Sequence, residues 1–382
     1  MNDTPSYSES QIGSFIEALN ELPDHRDNRG KRHNLAFIIS SIIMAILVGR
    51  SKASGIHRYI CNKVEWLRTV TGIADAKPIS RAHLPRLINR LDWDELNGLI
   101  ETHFGIRLER TENQEWTAID GKVMKGTVKS GDKQGMVLAV THESRSLVAQ
   151  ARLSGPKSSE IPVVRKLLKD SGLEKKKVSL DAHHCNPETT AQIHLVGGHY
   201  LTQVKDNQPV LLEQCKQLAT DKAPIGSNTG ADKGNGRVTE RHARLYSMDG
   251  LKIHKRWNDS GIQSLVMVRR KTCDIKTGKS SDETSYYISN HAADGSDACG
   301  ELARAVRKHW SVESENWIRD VTLKEDKVKI KAANQAQITG IFHSLALRLL
   351  RKTGIKNFQE AIENFADCTD KFEAALRQLR FL

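Results

Sequence analysis

The chain has 382 residues, 38% hydrophobic and 27% charged, which allows packed cores and two or three domains. Its 58 Lys and Arg outnumber 46 Asp and Glu, leaving a formal charge of +12 and a pI near 9.4. That surplus favours a polyanionic partner such as nucleic acid, because each neutralised phosphate releases a condensed counterion.

Six scattered cysteines (Cys61, Cys185, Cys215, Cys273, Cys299, Cys368) contain no C-x-x-C pair, which argues against a disulfide framework and a zinc ribbon. The polar start Met1-Asn2-Asp3-Thr4-Pro5 resembles no signal peptide. The longest apolar stretch, Leu35 to Val48, is interrupted by Ser40 and Ser41 and falls short of the ~20 residues of a bilayer span. It reads as a buried helix, and the expectation is a soluble, cytoplasmic protein with no membrane partner.

Residues 1–110 read as a helical N-terminal domain. Phe15, Leu19 and Leu22 line a first helix, Leu35 to Val48 is the buried one, and Ile56 to Val70 another. In Ser80 to Leu91, Leu84, Leu87, Ile88 and Leu91 form a helical stripe behind a Ser80 cap, with Arg81, Arg86 and Arg90 off it. Those arginines form either a phosphate-gripping face or a solvated one.

From Trp116 the pattern changes. Trp116 to Ile119, Met136 to Val140 and Leu147 to Leu153 read as three strands, the last two joined by the turn His142-Glu143-Ser144-Arg145. A helix (Glu160 to Leu168), a strand (Val178 to Leu180), a helix (Thr189 to Leu195), a strand (Tyr200 to Val204) and a helix (Pro209 to Leu218) follow. That order predicts an α/β fold with a ribonuclease-H-like mixed sheet, its first part at 111–222. A β-rich insertion at 223–297 (Val238 to Tyr246, Ser264 to Arg270, Ser285 to Ser289) is expected beside the core. Residues 298–382 return to helix, with Ile338, Ile341, Phe342, Leu345 and Leu349 on one stripe.

Three acids carry the chemistry. Asp120 and Asp181 each follow an apolar strand-like run, and Glu313 sits on a downstream helix between Trp310 and Trp317 at i−3 and i+4. A carboxylate buried above a sheet is useful mainly when a cation neutralises it. Three of them, brought together in a basic chain, suggest a Mg2+ site for cutting a nucleic-acid backbone, where two ions about 3.5–4 Å apart serve nucleophile, phosphate and leaving oxygen. Gly121 permits close backbone approach beside Asp120, and Lys122 and Lys125 place cations there. His183, His184 and Cys185 lack a matching ligand pair elsewhere, which argues against zinc.

The motifs around these acids run in order through most of the chain. They are Pro23-Asp24-His25-Arg26 with Lys31-Arg32-His33; Ala118-Ile119-Asp120-Gly121-Lys122; Lys157-Ser158-Ser159-Glu160-Ile161-Pro162; and Leu180-Asp181-Ala182-His183. Tyr200 to Gln208, Gly236 to Arg241, Tyr286-Tyr287-Ile288-Ser289 and His309-Trp310-Ser311-Val312-Glu313 complete the set. Together they resemble the DDE transposases of bacterial insertion sequences, close to the H-repeat-associated transposases. One departure is visible: Ser314 to Val321 reads one residue shorter than the family's run after the glutamate, which on a helix turns Trp317 and Asp320 by about 100°.

The resemblance implies that Asp120, Asp181 and Glu313 are catalytic and hold Mg2+, for which Mn2+ can substitute. Hydrolysis at the element end would free a 3′-hydroxyl, which then attacks target DNA. Lys122, Lys125, Lys205, Asn207, Gln208, Arg237, Arg241, His309 and Trp310 would contact DNA, with Arg81, Arg86 and Arg90 from the N-terminal domain. Trp310 or Trp317 either stacks on an unpaired base or packs in the core. The implied partners are the element's terminal repeats, target DNA and a second copy of the chain, as a homodimer or higher on DNA. A ribonuclease-H-like nuclease without strand transfer, and a domesticated DNA-binding relative, are the alternatives.

Overall fold

The computed structural model describes residues 13–28, 30–104, 115–130, 134–153, 160–234 and 236–382. Met1 to Pro5 and the Lys157-Ser158-Ser159 part of the third motif lie outside the described residues.

Six helices precede the sheet: α1 (Phe15–Asn20), α2 (Leu35–Leu47), α3 (Ala53–Asn62), α4 (Val64–Thr71), α5 (His83–Ile88) and α6 (Trp93–Phe104). A capping box between Ser14 and Glu17 starts α1, and the Asn34 side chain accepts from Phe37 N at 2.8 Å to start α2. Every residue of α2 is buried, as expected for a helix apolar all round. Among the described residues no helix is long and apolar enough to cross a membrane.

Two helices differ from expectation. The predicted Ile56–Val70 helix breaks at Lys63, where α3 ends and α4 begins. The Ser80–Leu91 helix shortens to α5: Ser80 Oγ accepts from His83 N at 3.3 Å in a preceding turn. At its other end the Asn334 amide takes the Asn89 and Leu91 carbonyls at 2.8 and 2.9 Å.

Among the described residues nine strands form one mixed sheet, ordered β3-β2-β1-β4-β5-β9-β8-β7-β6. Its first half is β1 (Thr117–Val123), β2 (Gly135–Thr141), β3 (Leu147–Leu153), β4 (Lys177–Leu180) and β5 (His199–Val204). β1, β2 and β3 pair antiparallel, whereas β4 pairs parallel with both β1 and β5. The crossovers use α7 (Glu160–Asp170) and α8 (Pro187–Leu195), and α9 (Pro209–Asp221) follows β5.

β6 (Gly226–Gly234), β7 (Arg237–Ser247), β8 (Ser264–Asp274) and β9 (Ser280–Ser289) form an antiparallel meander. The β-rich segment does not sit apart from the core sheet: β9 pairs with β5 from Leu201↔Ser289 to Val204↔Tyr286 and extends it. β6 has no apolar alternation, and eight of its nine residues are exposed. Its pairing with β7 rather than its sequence pattern makes it a strand.

α10 (Ser296–Lys308), α11 (Trp310–Val321), α12 (Ala333–Lys352), α13 (Phe358–Asp367) and α14 (Thr369–Gln378) complete the described chain. Strand alternation sends Ile119, Val137, Val178 and Leu180 into one core with Val164 and Leu168 of α7. Ala118, Met136, Leu138 and Val140 face the opposite way, into a core shared with α2, α12 and Val312 of α11. Asp120, by alternation with Ala118, lies on this second face.

Candidate active site

Asp120 is not at the end of β1, as its sequence position suggests, but is the fourth of its seven residues, opposite Leu138. What ends beside it is the parallel pairing, whose last partners are Ile119 and Leu180. Asp120 and Asp181 are therefore the next residues on two neighbouring strands just where those strands stop being joined. By alternation Asp120 shares a face with Ala118, and Asp181 with Ser179.

α11 lies across this face. Asn316 Nδ2 donates to Asp120 Oδ2 at 3.4 Å, and Lys122 ion-pairs with Asp320. Two strand residues advance about 6.7 Å and four helical residues about 6 Å, so α11 runs nearly in step with β1. At the start of α11, His309 Nδ1 meets Ser179 Oγ at 2.8 Å. Glu313 lies between these anchors, one turn before Asn316.

The acids feel one another. Burial pushes the Asp120 carboxyl up to about 7, helped by the charges of Asp181, Glu160 and Glu313. Glu313 is also raised, by burial and then by Asp181, with Lys205 opposing. Asp181 accepts the His183 and His184 amides at 3.0 and 3.3 Å, and His184 Nε2 stands 3.9 Å from it. Among the described residues none of the three carboxylates has a Lys or Arg within ion-pair distance. Nor do any three acidic, His or Cys side chains already close around one point. The trio is linked by charge but not drawn together, as expected of like charges. Its donors are all carboxylate oxygens, which suits Mg2+ or Mn2+.

A fourth carboxylate escaped the sequence reading. Glu160 opens α7, and its Oε1 meets His184 Nε2 at 2.8 Å. Burial opposes its charge, but the His184 hydrogen bond, the nearby histidine charges and the Gly121 amide outweigh it and lower its pKa. A Cβ added at Gly121 would run into the Glu160 carboxylate, so this glycine is needed for close approach. The signal lay inside the third motif, but nothing in the order of residues placed Glu160 against β1.

Several predicted DNA contacts have other roles. Lys122 is 6% exposed, paired with Asp320, 3.6 Å from Glu325 and 4.0 Å from Asp326, so in this structure it faces acids rather than solvent. Gln208 is buried; it donates to Cys185 O at 2.7 Å and accepts from Arg256, bracing the segment after Asp181. Asn207 donates to Ala182 O at 2.7 Å from an exposed position. His309 is turned onto Ser179, and burial pulls its pKa down to about 4.

Lys125 and Lys205 are exposed, the first 3.2 Å from Asp326 and the second acting on Glu313. Trp310 and Trp317 are 55% and 61% exposed, which removes core packing as their role. Arg81, Arg86 and Arg90 are exposed, with Asp27 3.5 Å from Arg90. On the meander, Arg237 stands 3.9 Å from Asp274 and Arg241 pairs with Asp232.

Comparison with known proteins supplies relatives. Residues 16–104 match the family model described as DDE_Tnp_1-associated. The "Putative transposase YncI" of Escherichia coli O157:H7 is 26% identical over 373 residues, covering 92% of either chain. The "H repeat-associated putative transposase YhhI" of Escherichia coli K12 is 24% identical over 358 residues, covering 89% of this chain and 91% of its own. An "Uncharacterized protein in dhlA 3'region" of Xanthobacter autotrophicus is 27% identical over 282 residues, 72% of this chain and 93% of its own. The chain is thus similar, along about nine-tenths of its length, to proteins named as putative transposases, one of them H repeat-associated, and its residues 16–104 match a transposase-associated domain.

Proposed function

We propose that the chain is a DNA transposase in which Asp120, Asp181 and Glu313 hold Mg2+ or Mn2+ over a DNA phosphodiester. One observation carries this reading: the charge of Asp181, at the end of β4, raises the proton affinity of Asp120 on β1 and of Glu313 on α11, and none of the three has a Lys or Arg paired to it among the described residues. Such a group costs stability unless a cation joins it. The 3-2-1-4-5 order, with its parallel β4 and β5, supports a ribonuclease-H-like core, and the names of the relatives support transposition.

In this scheme Asp120 is central, because both other acids act on it. The bound ions would supply charge neutralisation, activation of the attacking hydroxyl and stabilisation of the leaving oxygen. The protein's part is to hold Asp120 from below with Asn316, fix Asp181 through the amides it caps, and keep Glu160 ionised against His184. Lys205 and the exposed Trp310 and Trp317 flank the acids where a strand would lie. The 3′-hydroxyl freed by the first cut would then attack target DNA at the same site, with two copies of the chain holding the element's two ends.

The test is cleavage of DNA carrying the element ends in Mg2+. Asp120→Asn, Asp181→Asn and Glu313→Gln should each lower nicking by roughly a thousand-fold or more while DNA binding persists. Undiminished nicking by any of them rejects the assignment. Joining of cut ends to a target plasmid separates a transposase from a simple nuclease.

A further inference from the structure

A second site lies away from the acids. α3 and α4 on one side and α13 and α14 on the other enclose a cleft of about 280 Å3. Its polar lining is Arg50, Arg58, Lys63, Tyr59 and Asn62, with Trp66 on one wall. Phe365 and Phe372 supply an apolar floor, and the Trp66 ring stacks on Phe372 with centroids 5.9 Å apart.

Arg50, Arg58, Asn62 and Lys63 are exposed to solvent and Tyr59 is half-buried. Among the described residues neither Arg50 nor Arg58 has an ion-pair partner, and Lys63 only reaches Thr369 Oγ1 at 3.4 Å. The Tyr59 hydroxyl and the Asn62 amide likewise have no hydrogen-bond partner among the described residues. Burial raises the Tyr59 phenol's pKa, so it remains a donor at neutral pH. A smaller hollow of about 180 Å3 adjoins at Val48, Arg50 and Ala366 and leads to Thr322 and Lys324, just past α11. Glu363 is the one carboxylate on its lining among the described residues. Ser51 and Leu323 fasten the two regions together by a hydrogen bond of 2.5 Å.

Planar aromatic walls, an apolar floor, unpaired cations and free donors are the groups that hold a base and its phosphate together. A ligand lacking an apolar part would leave the floor unused, and a duplex would not fit so small a cleft. We infer that this cleft binds one unpaired nucleotide of a single DNA strand, base toward Trp66 and phosphate on Arg50, Arg58 and Lys63. The inference rests on DNA being the partner but not on the acids being catalytic. It gives the N-terminal helices a strand-holding role.

The full chain, free of divalent cation, is irradiated with a 5′-phosphorylated hexamer containing 5-iododeoxyuridine, and adducts are mapped by mass spectrometry. The adduct is expected on the peptide spanning Tyr59 and Trp66. Anisotropy should show Arg58→Glu with Lys63→Glu weakening the hexamer by roughly ten-fold or more, and a duplex of equal length by less than about three-fold. Circular dichroism melting should be unchanged, and Tyr59→Phe, which keeps the ring, should weaken the hexamer less than the double variant. Adducts confined to Trp310 or Trp317, or unchanged hexamer affinity in the double variant, overturn the inference. Complete displacement of the hexamer by inorganic phosphate at matching concentration also overturns it, since a base then adds nothing. Asp120→Asn should bind the hexamer as the natural chain does, so loss of cleavage and loss of this site are read separately.

Discussion

Two acidic clusters sit on one face of β1, two residues apart, and they are built in opposite ways. Around Lys122, the acids Asp320, Glu325 and Asp326 are neutralised, and Arg319 completes the set through Glu325 Oε2 and Oε1 at 3.0 and 2.8 Å. Arg319 also donates to Ser344 Oγ at 2.6 Å and Gly340 O at 3.0 Å, and His343 Nδ1 stands 3.2 Å from Glu325. Around Asp120 the charged neighbours are Asp181, Glu160 and Glu313, with no Lys or Arg ion-paired to it among the described residues. Burial opposes both sets of charges, yet the Glu325 carboxyl is held well below its ordinary value while the Asp120 carboxyl is pushed up to about 7. The first cluster is a strut. The second has no such cation paired to it among the described residues, and the proposed function assigns it to metal binding.

The sharpest way to break this contrast is to make the first cluster like the second. Lys122→Ala strips a buried cation from half-buried Asp320 and Asp326 and from Glu325, which keeps Arg319, and should cost ~2–3 kcal/mol in denaturant unfolding. Next comes the reverse operation. Asp120→Asn relieves repulsion and should stabilise the cation-free protein by roughly 1–3 kcal/mol at pH 8, discounted for solvent screening.

The sign follows from linkage. Folded Asp120 binds its proton more tightly than an unfolded aspartate at 3.8. Its favourable contribution is therefore complete below that value and is lost as pH rises through about 7. The advantage of Asp120→Asn should thus be absent below about pH 4, grow as pH rises, and be complete above about pH 7 in melts across that range. A gain that grew on acidification would contradict the raised pKa.

Smaller effects refine the picture. Gly121→Ala forces the Glu160 carboxylate away from β1, and with Glu160 pinned by His184 the loss should be ~1–2 kcal/mol by denaturant titration. Trp317→Ala removes an exposed ring, so stability should change by less than ~0.5 kcal/mol while anisotropy reports weaker binding of DNA.

Much of this was legible in the residues themselves. Apolar runs and helical stripes located β1 to β5 and the major helices, since a buried face leaves a period that survives in sequence, whereas the Ser80 cap did not start its helix. The three acids stood out because each ended or interrupted an apolar run. What stayed hidden depends on contacts between distant segments. Lys122 reads as a surface cation beside Asp120 until α11 and the turn after it bring Asp320, Glu325 and Asp326 onto it. Glu160 reads as a helix-opening acid until α7 folds against Gly121. β6 carries no strand pattern of its own and exists through its neighbour.

Cation binding, measured directly, bears on the contrast without needing DNA. Titrating Mn2+ into the natural chain and into Asp120→Asn, and following free Mn2+ by electron paramagnetic resonance at pH 8, should find saturable binding in the first. Asp120→Asn should bind at least ~ten-fold more weakly, since a neutral amide replaces a charged oxygen ligand. Equal binding in the two proteins would mean that the unneutralised carboxylates serve some purpose other than holding metal.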